Sequence, residues 1–528
     1  MRSVAVAAAI IALGNVFSRL LGLLREGVMA ALFGATGATD AFVAASAVPQ
    51  MVYDLLVGGA ISAALVPVFV DAAEDDERLW RLVSAVLTLA ALVLGVVALG
   101  LAVLAPLVVA LLASGFGPQQ QAEAVPMVRV MLGAVVLQGI AGVLMAVLYA
   151  RRQFAPPAFA AAVYNGGIIL GAILLSQTLG VYALVAGVVL GAAGQLALQL
   201  PWLGKLSYRP RLDLDSPEVR AILGLYGPVA LGMVVTIVGI VIDRNLASRL
   251  AEGSLSVMNY ATRLIQFPLG LVATATSFAV LPPLARHASG LAQARLLGTS
   301  IEAEHRGYRE TLLFGIRIVV LLMVPAMAIL IVLREPLVQV LFERGRFGQL
   351  ETGRTALVFL AYAPQLPFTA LDQLLIVAFY ARRDTRTPVL VGVGGVAIYL
   401  ASALTLIGPL DVAGLALANA IQNSLHALAL LVLLERAGAG LCDRALGGFV
   451  LKVMLAGLVT AVATSQFIGL GIQTVPGATG LGLQLLLAAT LGAAIYVAIL
   501  EALGVHDARL VWLLLRERFR PTPPGRRV

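Results

Sequence analysis

Between Asn15 and Pro67, five charged residues (Arg19, Arg25, Glu26, Asp40 and Asp54) lie within or at the ends of apolar runs. The runs read as two membrane-spanning helices and a short turn. A charge at the bilayer centre costs about 3 kcal/mol or more, so such residues face a water-filled cavity or an ionic partner. A guanidinium stays charged and offers a planar fork of donors that matches phosphate oxygens. Helices built around arginines therefore point to a cavity for an anion, and Arg263, in the eighth apolar run, is a third donor of the same kind. On an ideal helix Arg19 and Arg25 point about 120° apart. They converge only if Gly22 permits a bend or other spans complete the site. Each arginine has a competing reading as a snorkelling side chain or half of an ion pair, and for Arg25 the two readings are level. Asp40 follows Thr39 at a helix start, where a carboxylate serves equally as a cap or as a functional partner. Asp243 adjoins Arg244, either as a satisfied internal pair or as the best-placed acid for a coupling cation (Na+ or H+), with Asp372 ranked behind it.

The elements that position these residues follow from composition. Of 528 residues, 60% are hydrophobic and 12% charged, and the mean hydropathy is +0.97. Soluble domains carry roughly 25% charged residues, so the chain is expected to be an all-α polytopic membrane protein. Windows of roughly 19 residues give about fourteen spans, centred near Ala12, Leu56, Val93, Val136, Ile168, Leu190, Val234, Ala273, Leu322, Leu366, Ile398, Ala427, Val459 and Leu491. The fifth and sixth are separated only by Ser176–Gly180. A cleaved signal peptide is not expected, because Arg19 interrupts the first apolar run and no separate hydrophobic segment precedes it.

The net charge of +8 could suggest nucleic acid, but its placement argues otherwise. Arg2, Arg78, Arg81, Arg151, Arg152, Lys205, Arg209, Arg211, Arg286, Arg382, Arg383 and the tail from Arg509 onward fall on one side. The other side keeps Arg249, Arg334, Arg344, Arg346 and Arg354, of which Arg344 and Arg346 read as solvent-facing loop residues. This asymmetry places both termini in the cytoplasm. The single cysteine, Cys442, allows no internal disulfide. The four histidines have no zinc-ligand spacing, and no nucleotide loop or nucleophile elbow appears.

The chain also repeats itself. Tyr149-Ala-Arg-Arg152 recurs as Tyr380-Ala-Arg-Arg383, Pro106-Leu-Val-Val as Pro336-Leu-Val-Gln, and Arg25, Gly34 and Asp40 align on Arg244, Gly253 and Asn259. Six spans repeating as six keep their orientation, giving two parallel six-helix lobes plus two C-terminal helices: 1–218, 219–440 and 441–528. Two interrupted spans in matching places are the best pointer to a transport site. The second carries Pro49, Gly58, Gly59 and Pro67, and the eighth carries Pro268, Gly270 and Pro282-Pro283. Tyr-Ala-Arg-Arg reads first as an anchor to anionic lipid and second as a substrate-capture motif. Gly187-Val-Val-Leu-Gly191 reads as helix packing.

Ser18-Arg19-Leu-Leu-Gly22, Arg25, Leu32-Phe-Gly34, Thr39-Asp40-Ala-Phe42, Pro49, 63–67, Tyr260-Ala-Thr-Arg263-Leu-Ile-Gln-Phe-Pro268 and Phe379-Tyr-Ala-Arg-Arg-Asp384-Thr-Arg-Thr-Pro388 resemble the MurJ/MviN proteins. These are lipid II flippases of the multidrug/oligosaccharidyl-lipid/polysaccharide exporter superfamily. The resemblance covers essentially the whole chain. It implies two lobes around a cationic cavity for a lipid-linked diphosphate sugar, with Arg19, Arg25, Asp40 and Arg263 at functional positions, and a groove for the polyprenyl tail on the last two helices. Where the family usually has an Arg-Arg pair in its second span, this chain has Tyr53 and Asp54, and Gly58 replaces a glutamate. That removes positive charge, so either other arginines compensate, Arg244 among them, or this is a divergent member handling a related substrate.

The expected function is a flippase that carries an undecaprenyl-diphosphate-linked sugar, lipid II first, from the inner to the outer leaflet by alternating access. It would have no catalytic step and no cofactor, and membrane potential or a coupling cation would drive it. The expected setting is a bacterial inner membrane, as a monomer among membrane lipids and cell-wall proteins. The rivals are a related polysaccharide-lipid exporter, a drug/cation antiporter (which would need an acidic, aromatic cavity), a membrane glycosyltransferase (which would need catalytic acids or a long outer loop) and a scaffold.

Overall fold

A bilayer offers the backbone no water, so a spanning segment must satisfy its own N–H and C=O groups, and this sequence does so with helices. The computed structural model describes residues 2–55, 64–204, 207–213, 215–298, 300–470 and 477–505. Leu56, Gly58, Gly59, Lys205 and the tail arginines, which the sequence analysis singles out, lie outside those residues. Among the described residues there are helices and no strand. In chain order they are α1 (Arg2–Phe33), α2 (Gly37–Tyr53), α3 (Val66–Ala72), α4 (Asp76–Val103), α5 (Ala105–Leu112), α6 (Pro118–Ala150), α7 (Ala155–Leu179), α8 (Tyr182–Gln199) and α9 (Pro217–Ser248). They continue with α10 (Ser254–Leu297), α11 (Glu302–Phe342), α12 (Gln349–Tyr362), α13 (Leu366–Ala381), α14 (Arg386–Leu410), α15 (Val412–Arg436), α16 (Arg444–Gly469) and α17 (Ala478–Ala502).

Among the described residues nine helices are long and apolar enough to cross a membrane: α4, α6, α7, α8, α11, α14, α15, α16 and α17. Five further crossings are shorter, broken or carry charge. They are α1 with its arginines, α2 with α3, α9, α10, and α12 with α13, which a single 3-10 turn at Ala363–Gln365 separates. The chain is thus an all-α polytopic membrane protein, with nine membrane-length apolar helices among the described residues and helical segments at the five other expected spans. It divides into two compact units, Met1–Arg263 with Leu341–Thr355 and Leu406–Leu415, and Leu264–Val340 with Ala356–Thr405 and Ala416–Val528.

In the second span α2 passes at Tyr53 into a π-helical turn at 54–55, and α3 begins at Val66 with Pro67 in its first turn; residues 56–63, between them, lie outside the described residues. The eighth span is not interrupted. α10 runs unbroken for 44 residues through Pro268, Pro282 and Pro283. A proline removes one donor and bends a helix, but the turns on either side keep their own bonds.

The repeat reappears in backbone detail. Residues 231 apart hold equivalent places: α6 and the α12–α13 pair start at Pro118 and Gln349, and α7 and α14 start at Ala155 and Arg386, each with 25 residues. Left-handed residues match as well, Arg152 (φ 60°) with Arg383 (φ 61°), and Gly180 (φ 53°) with Asp411 (φ 51°). The arginine before each left-handed residue is an internal strut. Arg151 lies 5.7 Å over the Trp80 ring and donates to the Leu203 carbonyl at 2.7 Å. Arg382 lies 5.9 Å over Tyr308 and donates to the Ala437 carbonyl at 3.2 Å. The lipid-anchor reading of Tyr-Ala-Arg-Arg therefore fits only Arg152 and Arg383, which are exposed.

Lipid tails are as apolar as leucine, so helices associate in a bilayer through close packing of small residues. Gly187 and Gly191 on α8 provide it, and they meet Gly167 and Gly171 on α7, a partner stripe that the sequence reading overlooked. A Cβ on Gly191 would come within 2.4 Å of the Tyr164 carbonyl oxygen, and one on Gly187 within 2.7 Å of the Ile168 Cα. Overpacking typically costs about 1–3 kcal/mol. Gly191→Val should therefore lower the thermal midpoint of the purified protein. Gly166→Ala, beside this contact but facing open space, should leave it unchanged. Equal midpoints for the two variants would contradict the packing account.

Candidate anion-binding site

Arg25 and Glu26 are neighbours on α1, so their side chains leave the helix about 100° apart and reach different partners. Arg25 turns toward α7, where its Nη1 donates to Asn165 Oδ1 at 3.0 Å, and Asn165 Nδ2 in turn donates to the Ser18 carbonyl at 3.2 Å. Glu26 turns toward α10. Its Oε2 accepts from Asn259 Nδ2 at 2.9 Å, and its Oε1 lies 3.4 Å from Arg263 Nε. Arg25 Nη2 also pairs with Oε1. Asn259 and Arg263 are four residues apart and share one face of α10.

One buried carboxylate thus sits between two guanidiniums. Glu26 is 1% exposed, Arg25 17% and Arg263 45%. The acid is fully engaged, the cluster keeps a net charge of one positive unit, and the arginine with the most open surface is Arg263. A buried acid in this setting is stable only with such partners, and removing them leaves an uncompensated charge. Arg25 is therefore both paired and part of the cationic cluster, and neither reading of it excludes the other. The sequence shows Glu26, and Asn259 as the repeat counterpart of Asp40, without pointing to a role for either, and singles out nothing at Asn165. The available signal was an acid beside an arginine inside an apolar run, which needs a partner from another helix.

The remaining candidates lie around this centre. Arg19 sits about 9 Å back along α1, partly exposed. Arg244 on α9 is close enough to Arg263 for their charges to repel, and its Nε is buried with no hydrogen-bond partner among the described residues. Asp243 precedes it, partly buried. Asp54 is exposed just after α2 and accepts from Gln50 Nε2 at 2.8 Å.

Asp40 does not cap its own helix; Thr36 does that for α2. Asp40 is 3% exposed and closes the start of α10 instead, accepting from the Gly253 amide at 2.7 Å, the Ser256 amide at 2.8 Å and the Ser256 hydroxyl at 2.6 Å. The favour is returned across the repeat. Glu252 Oε1 accepts from the Gly37 amide at the start of α2, at 2.5 Å. Between them, the Tyr260 hydroxyl donates to the Gly34 carbonyl at 3.0 Å, and its ring packs on Phe342 and Phe347. Gly253 (φ 85°) allows the approach, because a Cβ there would lie 2.4 Å from the Ala35 carbonyl oxygen. Two helix N-termini are thus locked together by acids exchanged between them.

Residues 29–499 match the family described as "Lipid II flippase MurJ". The chain belongs to that family. Among its relatives, the lipid II flippase MurJ of Burkholderia cenocepacia is 30% identical over 80% of this chain and 82% of its own. The probable lipid II flippase MurJ of Vibrio cholerae is 31% identical over 93% and 94%. A solved MurJ in an inward closed conformation superposes with a TM-score of 0.77 at 21% identity, covering 94% of this chain and 99% of that one. An inward-facing MATE transporter of the MOP superfamily reaches 0.63 at 16% identity, over 80% and 95%. These two show the fold. Within this chain, Arg25 and Arg263 share one cluster, Arg19 lies further along α1, and Asp40 is committed to the clamp.

The clamp makes a direct prediction. Asp40→Ala leaves two amides and a hydroxyl at the start of α10 without their acceptor, and each orphaned group costs about 1–3 kcal/mol. Hydrogen exchange at residues 253–258 should accelerate at least tenfold while exchange in α16 stays unchanged. Parental exchange rates at 253–258 would contradict the assignment.

Proposed function

We propose that this protein is a flippase that carries lipid II, an undecaprenyl-diphosphate-linked saccharide, from the inner to the outer leaflet by alternating access. The observation that supports it most is the Arg25–Glu26–Arg263 cluster in a chain of the MurJ family, a buried acid flanked by two guanidiniums with a net positive charge. A diphosphate needs several charge-assisted donors in forked geometry. Arg263 supplies one, Arg19 on α1 and Arg244 on α9 are further donors, and Glu26 holds Arg25 and Arg263 in place until a phosphate competes for them. Arg244 fits the role of the cavity arginine missing at Tyr53 and Asp54.

The two six-helix repeats, 1–218 and 219–440, are the natural moving parts of such a cycle, with 441–528 an addition that serves the lipid tail. The arginine asymmetry supports cytoplasmic N and C termini in a bacterial inner membrane. The protein is proposed to work as a monomer and to do no covalent chemistry. A drug/cation antiporter on the same fold would need acids facing its cargo, and here the two most buried candidate acids are engaged, Glu26 with arginines and Asp40 with α10.

Lipid II flipping by the purified protein in vesicles tests the reading. Arg19→Ala and Arg263→Ala should each reduce flipping at least tenfold at normal insertion levels. Lysine at either position should restore it only in part, because an ammonium lacks the fork. Parental rates in the alanine variants would remove those residues from the site.

The driving force is a separate prediction. Outward movement of each uncompensated negative charge gains about 2.3 kcal/mol per 100 mV of inside-negative potential, so dissipating the potential should slow flipping. Asp243→Asn should weaken any dependence on Na+ or H+. Undiminished, ion-independent flipping at zero potential would exclude both.

A further inference from the structure

The second unit contains a half-buried ionisable pair that the transport site does not use. His426 on α15 and Asp372 on α13 meet at 2.6 Å between Nδ1 and Oδ1, with side chains 13% and 17% exposed. The other ring nitrogen, Nε2, lies 3.4 Å from the carbonyl oxygen of Pro388 in the first turn of α14. Among the described residues these are the polar partners of the pair. Neutral residues lie beside it. α14 brings Gly395 against the imidazole edge and Gln422. α15 adds Asn423, itself bonded to Gln365 at 2.5 Å and Asn419 at 3.0 Å.

Both ring nitrogens therefore face oxygen acceptors. A neutral imidazole has one N–H and one lone pair, so it satisfies one contact and turns a lone pair toward the other oxygen. One added proton satisfies both. Either an imidazolium donates to the Asp372 carboxylate and to Pro388, or a protonated Asp372 donates to Nδ1 while Nε2–H donates to Pro388. Both forms are electrically neutral and differ only in where the proton sits. Without it, the pair leaves a net negative charge at a half-buried site with one repulsive contact.

We infer that Asp372 and His426 form a site for a single proton, which fastens α13, α14 and α15 together when filled and loosens α14 when emptied. It is separate from Asp243. α14 follows directly on Tyr380-Ala-Arg-Arg383, where Asp384 caps the helix by accepting from the Arg386 and Thr387 amides at 3.1 and 3.0 Å. Loss of the proton thus acts on the first turn of a helix whose start is otherwise fixed. The step from binding to coupling rests on the transport reading; the binding itself does not.

Nitrogen-15 spectra of the full-length protein in lipid nanodiscs, with its histidines labelled, test the site without any transport. The His426 signal is identified by its loss in His426→Gln. It should keep both ring nitrogens hydrogen-bonded, with Nε2 protonated and Nδ1 either protonated or accepting from the Asp372 acid, to well above the ordinary histidine midpoint of about 6.5. Asp372→Asn should weaken proton affinity at least tenfold, read as a downward shift of about one pH unit. A midpoint at or below 6.5, or one that Asp372→Asn leaves in place, overturns the site. In vesicles clamped at zero potential, an imposed pH gradient should change the flipping rate of the parent but not of Asp372→Asn. A normal spectral result with a parental rate insensitive to the gradient overturns the coupling and leaves a static strut. No flipping by the parent under any condition would instead count against the proposed function.

Discussion

The organisation of the first unit depends on Glu26. A carboxylate with 1% exposure in a membrane-spanning helix is tolerable only where cations and donors reach it. α1 supplies one of these from the adjacent residue, and α10 supplies two from a single face. The acid fixes where α10 must lie against α1, and Asn165 fixes α7 on the opposite flank. Because two guanidiniums share one carboxylate, neutralisation is incomplete. The residual positive charge is what an incoming phosphate would meet, and the same acid keeps the arginines ordered in its absence.

A second constraint sits at the helix starts. α2 and α10 occupy matching places in the repeat, and each N-terminus is closed by an acid from the other segment. Helix N-termini carry unpaired amides and partial positive charge, so acids are the natural closure. These bonds hold together the two segments that carry much of the candidate site. A transport cycle that separates the segments must break them and re-form them, which makes the clamp a reversible lock made of hydrogen bonds.

Much of this was legible in the sequence. Fourteen crossings follow from hydropathy because helix length in a bilayer is set by its thickness. The repeat is visible in Tyr149-Ala-Arg-Arg152 and Tyr380-Ala-Arg-Arg383, since a left-handed turn and a strut are needed at each copy. Other features were not, because they are decided between helices. Nothing local separates Asp40 capping its own helix from Asp40 capping α10. Prolines suggest a break in α10, yet 44 residues stay continuous. Glu26 and Asn165 are 139 positions apart and become part of one site only through Arg25.

The central claim is that the arginines around Glu26 recognise a diphosphate. Its most direct measurement compares the affinity of the purified full-length protein for undecaprenyl diphosphate and undecaprenyl monophosphate, which share one tail. The parent should prefer the diphosphate, Arg263→Ala should lose most of that preference while still binding the monophosphate, and Glu26→Gln should keep it. A preference unchanged in Arg263→Ala, or absent from the parent, would contradict the account.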